Sequence, residues 1–483
     1  MHHNFLYYSQ LITDNLEEYR MNSVLTTEKQ VKTIVTPPPT SNIFQLPEVN
    51  GKPILVDFEG GALSSDAGIL LLKEVEQQIG IIKSLSDIIE DQRDQRYVQH
   101  TTEELITQRV GQIASGYEDA NDCNELRGDP IFKLLAGKNP ETDNDLASQP
   151  TISRFENSIS MKDIYRIAYA FGEKFIESYE KEPKVIILDF DDTEDKTYGN
   201  QQLALFNGYF NDTCYMPLHV YEGLSGKLVT TILKPGKRMT GKQALAIVKR
   251  IIKKLRDHWQ NTVIVFRGDC HFSYPEVMEW IDGQDKVQFV SGLTSNAVLR
   301  KLAQFTIERA FRLYEHCQRK VVLFHSVRYQ AKSWNKYRRV IIKVEVSSEG
   351  KSVRFIVTDM EQAKAKALYQ DIYCGRGNAE LYIKDHKLYL KSDRTSCTRF
   401  EANQFRLFLH SAAYVLIHAL KTNILKNTQW ANATIDTIRL RLFKIGARVR
   451  ELKTRIKIEL PTSYPQKETF RRSFQIFELL SPT

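Results

Sequence analysis

Nowhere in this chain do two cysteines stand at C-x-x-C spacing. The six present, Cys123, Cys214, Cys270, Cys317, Cys374 and Cys397, are scattered. That pattern indicates neither a zinc site nor a redox dithiol, and it fits a reducing compartment. Long hydrophobic runs are missing too. The most apolar window, LFLHSAAYVLIHAL at 407–420, is too short to span a bilayer and carries His410 and His418. The opening residues, MHHNFLYYSQLITDN, lack the basic start and apolar stretch of a signal peptide. A cytoplasmic protein without membrane contact is expected. Apart from the prolines of TPPPT at 36–40 there is no low-complexity tract, and there is no internal repeat.

What is present is ordinary globular material in quantity. At 483 residues the chain is too long for one core, so roughly two to four domains are expected. A net charge of +8 points mildly towards an anionic partner.

The polar residues 1–50, with their proline run, predict a flexible N-terminal arm. Over 51–183 the apolar spacing is mainly helical. SSDAGILLLKEVEQQIG, TTEELITQRVGQIASG and MKDIYRIAYAFGEKFIESYE are amphipathic segments, and SQPTISRFENSIS restarts a helix near Pro150. The character changes at Lys184. KVIILDF, CYMPLHVYE and LVTTILK read as strands, GKQALAIVKRIIKKLRDHW as a helix, then TVIVFRGD and KVQFVSGL as strands around a short helix. Such an order predicts an α/β fold built on a mixed sheet flanked by helices. Residues 319–365 bring further β-like runs, and 366–425 turn helical again from about Asn378. A basic C-terminal region, 426–483, contains RLRLFKIGARVRELKTRIK, which reads as a basic helix.

The stretch KVIILDFDDTEDKTYGN, residues 184–200, demands a chemical explanation. An apolar strand ends in Asp189, Asp191 and Asp192, followed by Thr193. Carboxylates crowded at the end of a buried strand repel one another and are costly to desolvate. Two chemistries fit. DFDDT matches the Asp-x-Asp-x-Thr signature of a haloacid-dehalogenase-like, aspartate-nucleophile phosphatase, with Asp189 attacking phosphorus and Asp191 as acid and base. The second chemistry is metal-dependent cleavage of nucleic acid, in which carboxylates from separate elements hold two Mg²⁺ ions. Asp191 is then one ligand and Asp269, ending TVIVFRGD, another. Asp189 shares a strand face with Asp191 and supports it from behind. The third acid comes from YCGRGNAELYIKDHK, where Tyr373, Arg376, Glu380 and Lys387 fall in the pattern Tyr-x2-Arg-x3-Glu-x6-Lys. A helix from about Asn378 places Glu380 in its first turn. Lys384 and Lys387 follow one and two turns on, within reach of phosphate, and Arg376 lies in the preceding loop.

In combination and in order, Asp191-x-Thr193, Asp269 and the Tyr-Arg-Glu-Lys block resemble the catalytic core of bacterial insertion-sequence DDE transposases. Within them, LDFDDTEDKTYGNQQ, FNGYFNDTCYMPLHVY, RGDCHFSYPEVMEW and SQPTISRFEN are similar to the insertion-sequence family numbered thirteen-eighty. The likeness runs from about Phe58 to Lys457; Cys270 stands where members often carry serine. The resemblance implies an RNase-H-like catalytic core, divided here between 184–318 and 366–425, with a β-rich basic insertion at 319–365. It implies Asp191, Asp269 and Glu380 as metal ligands, two Mg²⁺ ions (Mn²⁺ substituting), and Arg376, Lys387, Lys384 and Tyr373 around the phosphates, with Asp189 and Thr193 supporting. It also implies double-stranded DNA partners, namely terminal inverted repeats and target, and a homodimer in the synaptic complex. The helical 51–183 region then serves DNA-end binding or dimerisation, and the protein is nucleoid-associated. A domesticated, non-catalytic DNA-binding descendant is the remaining alternative.

Charge is uneven along the chain. Arg319 to Lys343 holds eight Lys/Arg and no acid, with Phe324, Tyr329, Trp334 and Tyr337 interleaved. That composition suits either a phosphate-facing surface or a solvated β-ribbon.

Overall fold

A computed structural model describes residues 43–480. Two compact units divide the chain at Gly61. In the first, Phe44–Val49 and Lys52–Val56 form an antiparallel hairpin. Its turn is Asn50-Gly51, both at positive φ (52° and 73°), the backbone that a two-residue hairpin turn requires and that Asn-Gly supplies most easily. The boundary expected at residue 50 thus falls inside a hairpin, and 52–56 is strand, not helix. Residues 1–42 of the expected arm lie outside the described residues.

In the second unit, helix α1 (Thr102–Ser115) starts at a capping box between Thr101 and Glu104. Helix α2 (Met161–Glu177) starts at another, between Ser160 and Asp163. Eight strands form the central sheet: β1 (Val185–Asp192), β2 (Leu218–Glu222), β3 (Leu228–Ile232), β4 (Val263–Gly268), β5 (Val287–Leu293), β6 (Val321–Tyr329), β7 (Arg338–Ser347) and β8 (Gly350–Thr358). Their order across the sheet is β6-β7-β8-β5-β4-β1-β2-β3. Strand β4 runs parallel to β1 and β5; β2 pairs antiparallel with β1, and β3 antiparallel with β2, so β3 runs in the direction of β1. Helix α3 (Gly241–His258) connects β3 to β4, and α4 (Ala297–Cys317) connects β5 to β6.

The β-runs expected as an insertion continue this sheet, because β8 pairs with β5 from Val290–Thr358 to Leu293–Phe355. Their apolar residues are buried on both faces. Val340, Ile342 and Val344 join the cluster containing Leu299 and Ala303 of α4, whereas Ile341 and Ile356 pack with Leu368 and Tyr369. The basic residues of 319–343 are partly drawn into this packing: Arg338 and Arg339 are buried, the former against Asp282.

Helix α5 (Gly377–Lys384) and α6 (Phe400–Ala419) follow. The apolar window 407–420 makes up most of α6, which is buried nearly all round. Phe405, Phe408 and Ala413 share one core with Leu105, Phe155 and Ile167 of the N-terminal helices. The basic helix expected from RLRLFKIGARVRELKTRIK is a correction. After a helical turn to Phe443 the chain forms an antiparallel hairpin, Ala447–Leu452 with Arg455–Glu459. Its first strand alternates, with Ala447 and Val449 buried and Arg448 exposed, a period of two that no helix accommodates. Among the described residues, no helix is long and apolar enough to cross a membrane.

Candidate active site

Strands β1 and β4 pair in parallel up to Phe190 and Gly268. Asp191 and Asp269 are the next residue on each, so two carboxylates stand side by side where neighbouring strands end. Asp269 Oδ1 accepts from the His271 backbone N–H at 2.8 Å, and the Asp269 carbonyl accepts from Ser291 Oγ at 2.9 Å. Gly292 on β5 is open for a reason: a Cβ there would lie 2.7 Å from Cys270 N and from the Tyr373 hydroxyl. That close approach brings Tyr373 against the Asp269 loop.

A continuous helical run from Ala365 to Tyr389 carries the remaining residues. Arg376 occupies a helical turn, Cys374–Arg376, and not the loop expected. Glu380 is in the first turn of α5, but helix precedes it, so the free N–H groups of a helix start are not beside it. A guanidinium gathers the acids instead. Arg376 Nη1 donates to Asp191 Oδ2 and Nη2 to Glu380 Oε1, each at 3.0 Å. Burial pushes the Asp191 carboxyl up to about 7, Arg376 opposes this, and the charges of Asp269, Asp192 and Glu380 add to it. The three acids therefore share one electrostatic neighbourhood. They do not meet at ligand distance: among the described residues, the one group of three or more His, Cys, Asp or Glu whose donor atoms all lie within 4.8 Å of one another is Asp269, Cys270 and His271.

Lys387 reaches back to the chain just past β1. Its Nζ donates to Thr193 Oγ1 at 3.4 Å and to the Glu194 carbonyl, and lies 3.7 Å from Asp195 Oδ1. Lys384 is exposed one turn after Glu380. Burial raises the Tyr373 hydroxyl, with Arg376 and Asp269 as charged neighbours.

Beneath the acids lies a layer that sequence reasoning half found. Asp189 is fully buried, and both its oxygens accept from Arg267, the Nη2–Oδ2 bond being 2.6 Å. A third nitrogen of Arg267 donates to the Ile372 carbonyl. One side chain thus ties β1, β4 and the helical run that bears Glu380. The missed signal was the offset: Arg267 precedes Asp269 by two residues, as Asp189 precedes Asp191, so register pairs them. Asp192 is likewise held, by Lys234 at 2.8 Å.

The model of one protein family, transposase DDE domain group 1, matches residues 46–482. The chain belongs to that family. In this transposase the match covers the sheet, the helical run and the N-terminal helices alike. No curated protein matches. Among solved structures the transposase is similar to one described as "Cryo-EM structure of piggyBac transposase synaptic complex with hairpin DNA (SNHP)", at 12% identity and a TM-score of 0.43, over 79% of this chain and 80% of that one.

Proposed function

We propose that the protein cuts and rejoins double-stranded DNA at the ends of an insertion sequence of the thirteen-eighty type, on its terminal inverted repeats and target. Asp191, Asp269 and Glu380 are the acids that hold divalent metal. The observation that carries this reading is the convergence of all three, from β1, β4 and α5, on one pole of the sheet. The strand order β3-β2-β1-β4-β5, with only β2 reversed, supports an RNase-H-like core.

The donor set fits Mg²⁺, with Mn²⁺ substituting, since all three ligands are hard carboxylate oxygens. The crowding of buried carboxylates supports the same assignment: burial, with the charges of Asp269, Asp192 and Glu380 adding to it, raises Asp191 to about 7 although a guanidinium touches it. A pair of such ions supplies activation of the attacking oxygen and stabilisation of the leaving one. The chain's own residues do the rest. Arg376 neutralises Asp191 and Glu380 when metal is absent and is placed to turn towards flanking phosphates. Lys387, anchored at Thr193 and Glu194, adds a fixed cation beside the acids, with Lys384 and Tyr373 on the same helical run. The N-terminal helices serve DNA-end binding or dimerisation, in a homodimeric synaptic complex on the nucleoid.

The phosphatase alternative needs Asp189 as an accessible nucleophile. Its two oxygens are buried against Arg267, which leaves no attacking lone pair exposed. End cleavage on DNA from the gene's flanks, with Mg²⁺, tests the proposal. Asp191→Asn, Asp269→Asn and Glu380→Gln should each abolish cutting while the fold persists by circular dichroism. Cutting retained by any one removes that residue from the site. A wild-type protein that binds these ends without cutting them would favour the domesticated, non-catalytic descendant.

A further inference from the structure

Between β1 and β2 the chain builds a small sheet from Asp195–Lys196, Leu205–Asn207 and Asp212–Tyr215, with the last strand in the middle. It carries an unusual surface. Tyr198 is 83% exposed, Phe206 60% and Tyr209 84%, and Phe210 is exposed beside Tyr209. The two rings at the turn touch each other edge to face, with centroids 4.9 Å apart, and neither joins a core cluster. The turn does not need them. Asn207 Oδ1 accepts from Tyr209 N at 3.0 Å, and Asn211 takes the left-handed backbone (φ 54°), so its polar residues set its shape. Exposed apolar surface that serves neither core nor turn marks a binding surface.

The turn is linked by hydrogen bonds to a loop that in turn holds the segment following Asp269. Asn207 Nδ2 donates to the Gly236 carbonyl at 2.8 Å. Gly236 lies so close that a Cβ would come within 2.4 Å of the Cys214 and Leu205 carbonyls, so this loop is fixed on the small sheet. Exposed Lys237 and Arg238 follow. Arg238 Nη2 donates to the His271 carbonyl at 2.6 Å, two residues past Asp269. Two exposed cations therefore stand on the loop between the aromatic turn and the segment that follows Asp269. Cations for phosphates beside open aromatic faces are what an unpaired nucleotide requires.

We propose that the aromatic turn Gly208–Asn211, with Lys237 and Arg238, engages an unstacked base of the DNA at the cleavage point. This rests on the DNA-cutting reading above. One of the two perpendicular rings, Tyr209 and Phe210, stacks on the base and the other meets its edge, and the two cations hold its flanking phosphates.

The test uses the full chain in EDTA and two labelled duplexes from the gene's flank, one fully paired and one mismatched at two positions at the junction. Wild-type protein should bind the mismatched duplex more tightly. Tyr209→Ala with Phe210→Ala should weaken that binding about tenfold, as expected for losing one or two stacked bases. The paired duplex should change by no more than about twofold, and Tyr209→Trp should behave as wild type. Equal effects on both duplexes, or none on either, overturn the proposal. So does loss of a dimer with both DNA titrations unchanged, which would make the turn a subunit contact. These positions are exposed, so unchanged melting temperatures confirm that folding is intact. The outcomes separate cleanly: a mismatch preference without metal-dependent cutting sinks only the cutting reading, whereas cutting without turn-dependent base engagement sinks only this one.

Discussion

Arg267 and Asp189 are register partners on adjacent parallel strands, and they form a fully buried ion pair directly below the acids that end those strands. Because the same guanidinium also holds the Ile372 carbonyl, the pair couples the two strand-end aspartates to the helical run that presents Glu380. Breaking a buried pair by removing one member leaves a lone charge, which costs about 3–5 kcal/mol. Arg267→Met should therefore lower the unfolding free energy measured in urea by that order, and Asp189→Leu likewise. The double variant should lose less than the sum of the two, since no lone charge remains. Additive losses would show that the pair does not act as a unit.

Gly223 gives that pair its room. A Cβ at this position would stand 2.3 Å from Arg267 Nη2 and 2.5 Å from Asp189 Oδ2, and neither group can retreat while bonded on its other side. Gly223→Ala should cost about 1–3 kcal/mol, the usual range for overpacking, and should slow DNA cutting. A variant of wild-type stability in thermal melts would mean the pair relaxes without loss.

Arg376 bridges Asp191 and Glu380 with two separate nitrogens. Arg376→Ala should reduce end cleavage at saturating Mg²⁺ by about a hundredfold, the scale of losing one charged transition-state contact. Arg376→Lys should recover only a small part, because one ammonium cannot reproduce the planar fork. Full recovery with lysine in a single-turnover assay would reduce the role to charge alone.

Acid should unfold this protein early. Burial holds His219 and His410 down at about 3, His418 at about 4 and His386 well below its ordinary value. An unfolded histidine takes up its proton near pH 6.5. The stability these neutral side chains contribute is complete above that pH and is lost as pH falls towards 3. Each proton bound only on unfolding contributes a slope of about 1.4 kcal/mol per pH unit. Melting temperature should fall steeply from pH 6.5 to 4.5, and His410→Gln should flatten that slope by one proton's share. An unchanged slope would assign the acid sensitivity to other groups.

Some of this site could be read before any fold was known. Asp191 and Asp269 follow apolar runs, and a carboxylate at the end of a buried strand is visible as a break in hydrophobicity. Glu380 was visible only through its spacing to Tyr373, Arg376 and Lys387. The helix that carries it starts earlier than the spacing predicts, because Tyr373 and Arg376 already lie on helical turns that no capping residue announces. Asp195 carries no such signal in the sequence, yet it is buried beside Lys387.

The covalent order of the chain determined where apolar runs stop at acids, which segments alternate with period two or near four, and which turns, such as Asn50-Gly51, form locally. Those are short-range properties, set by side-chain patterning and backbone sterics over a few residues. Tertiary structure alone decided that β8 would dock on β5, that Arg267 would find both Asp189 and Ile372, and that one guanidinium would stand between Asp191 and Glu380. Each of these joins residues tens to hundreds of positions apart. The energy that selects such partners comes from burial and charge pairing in three dimensions, which no local pattern encodes.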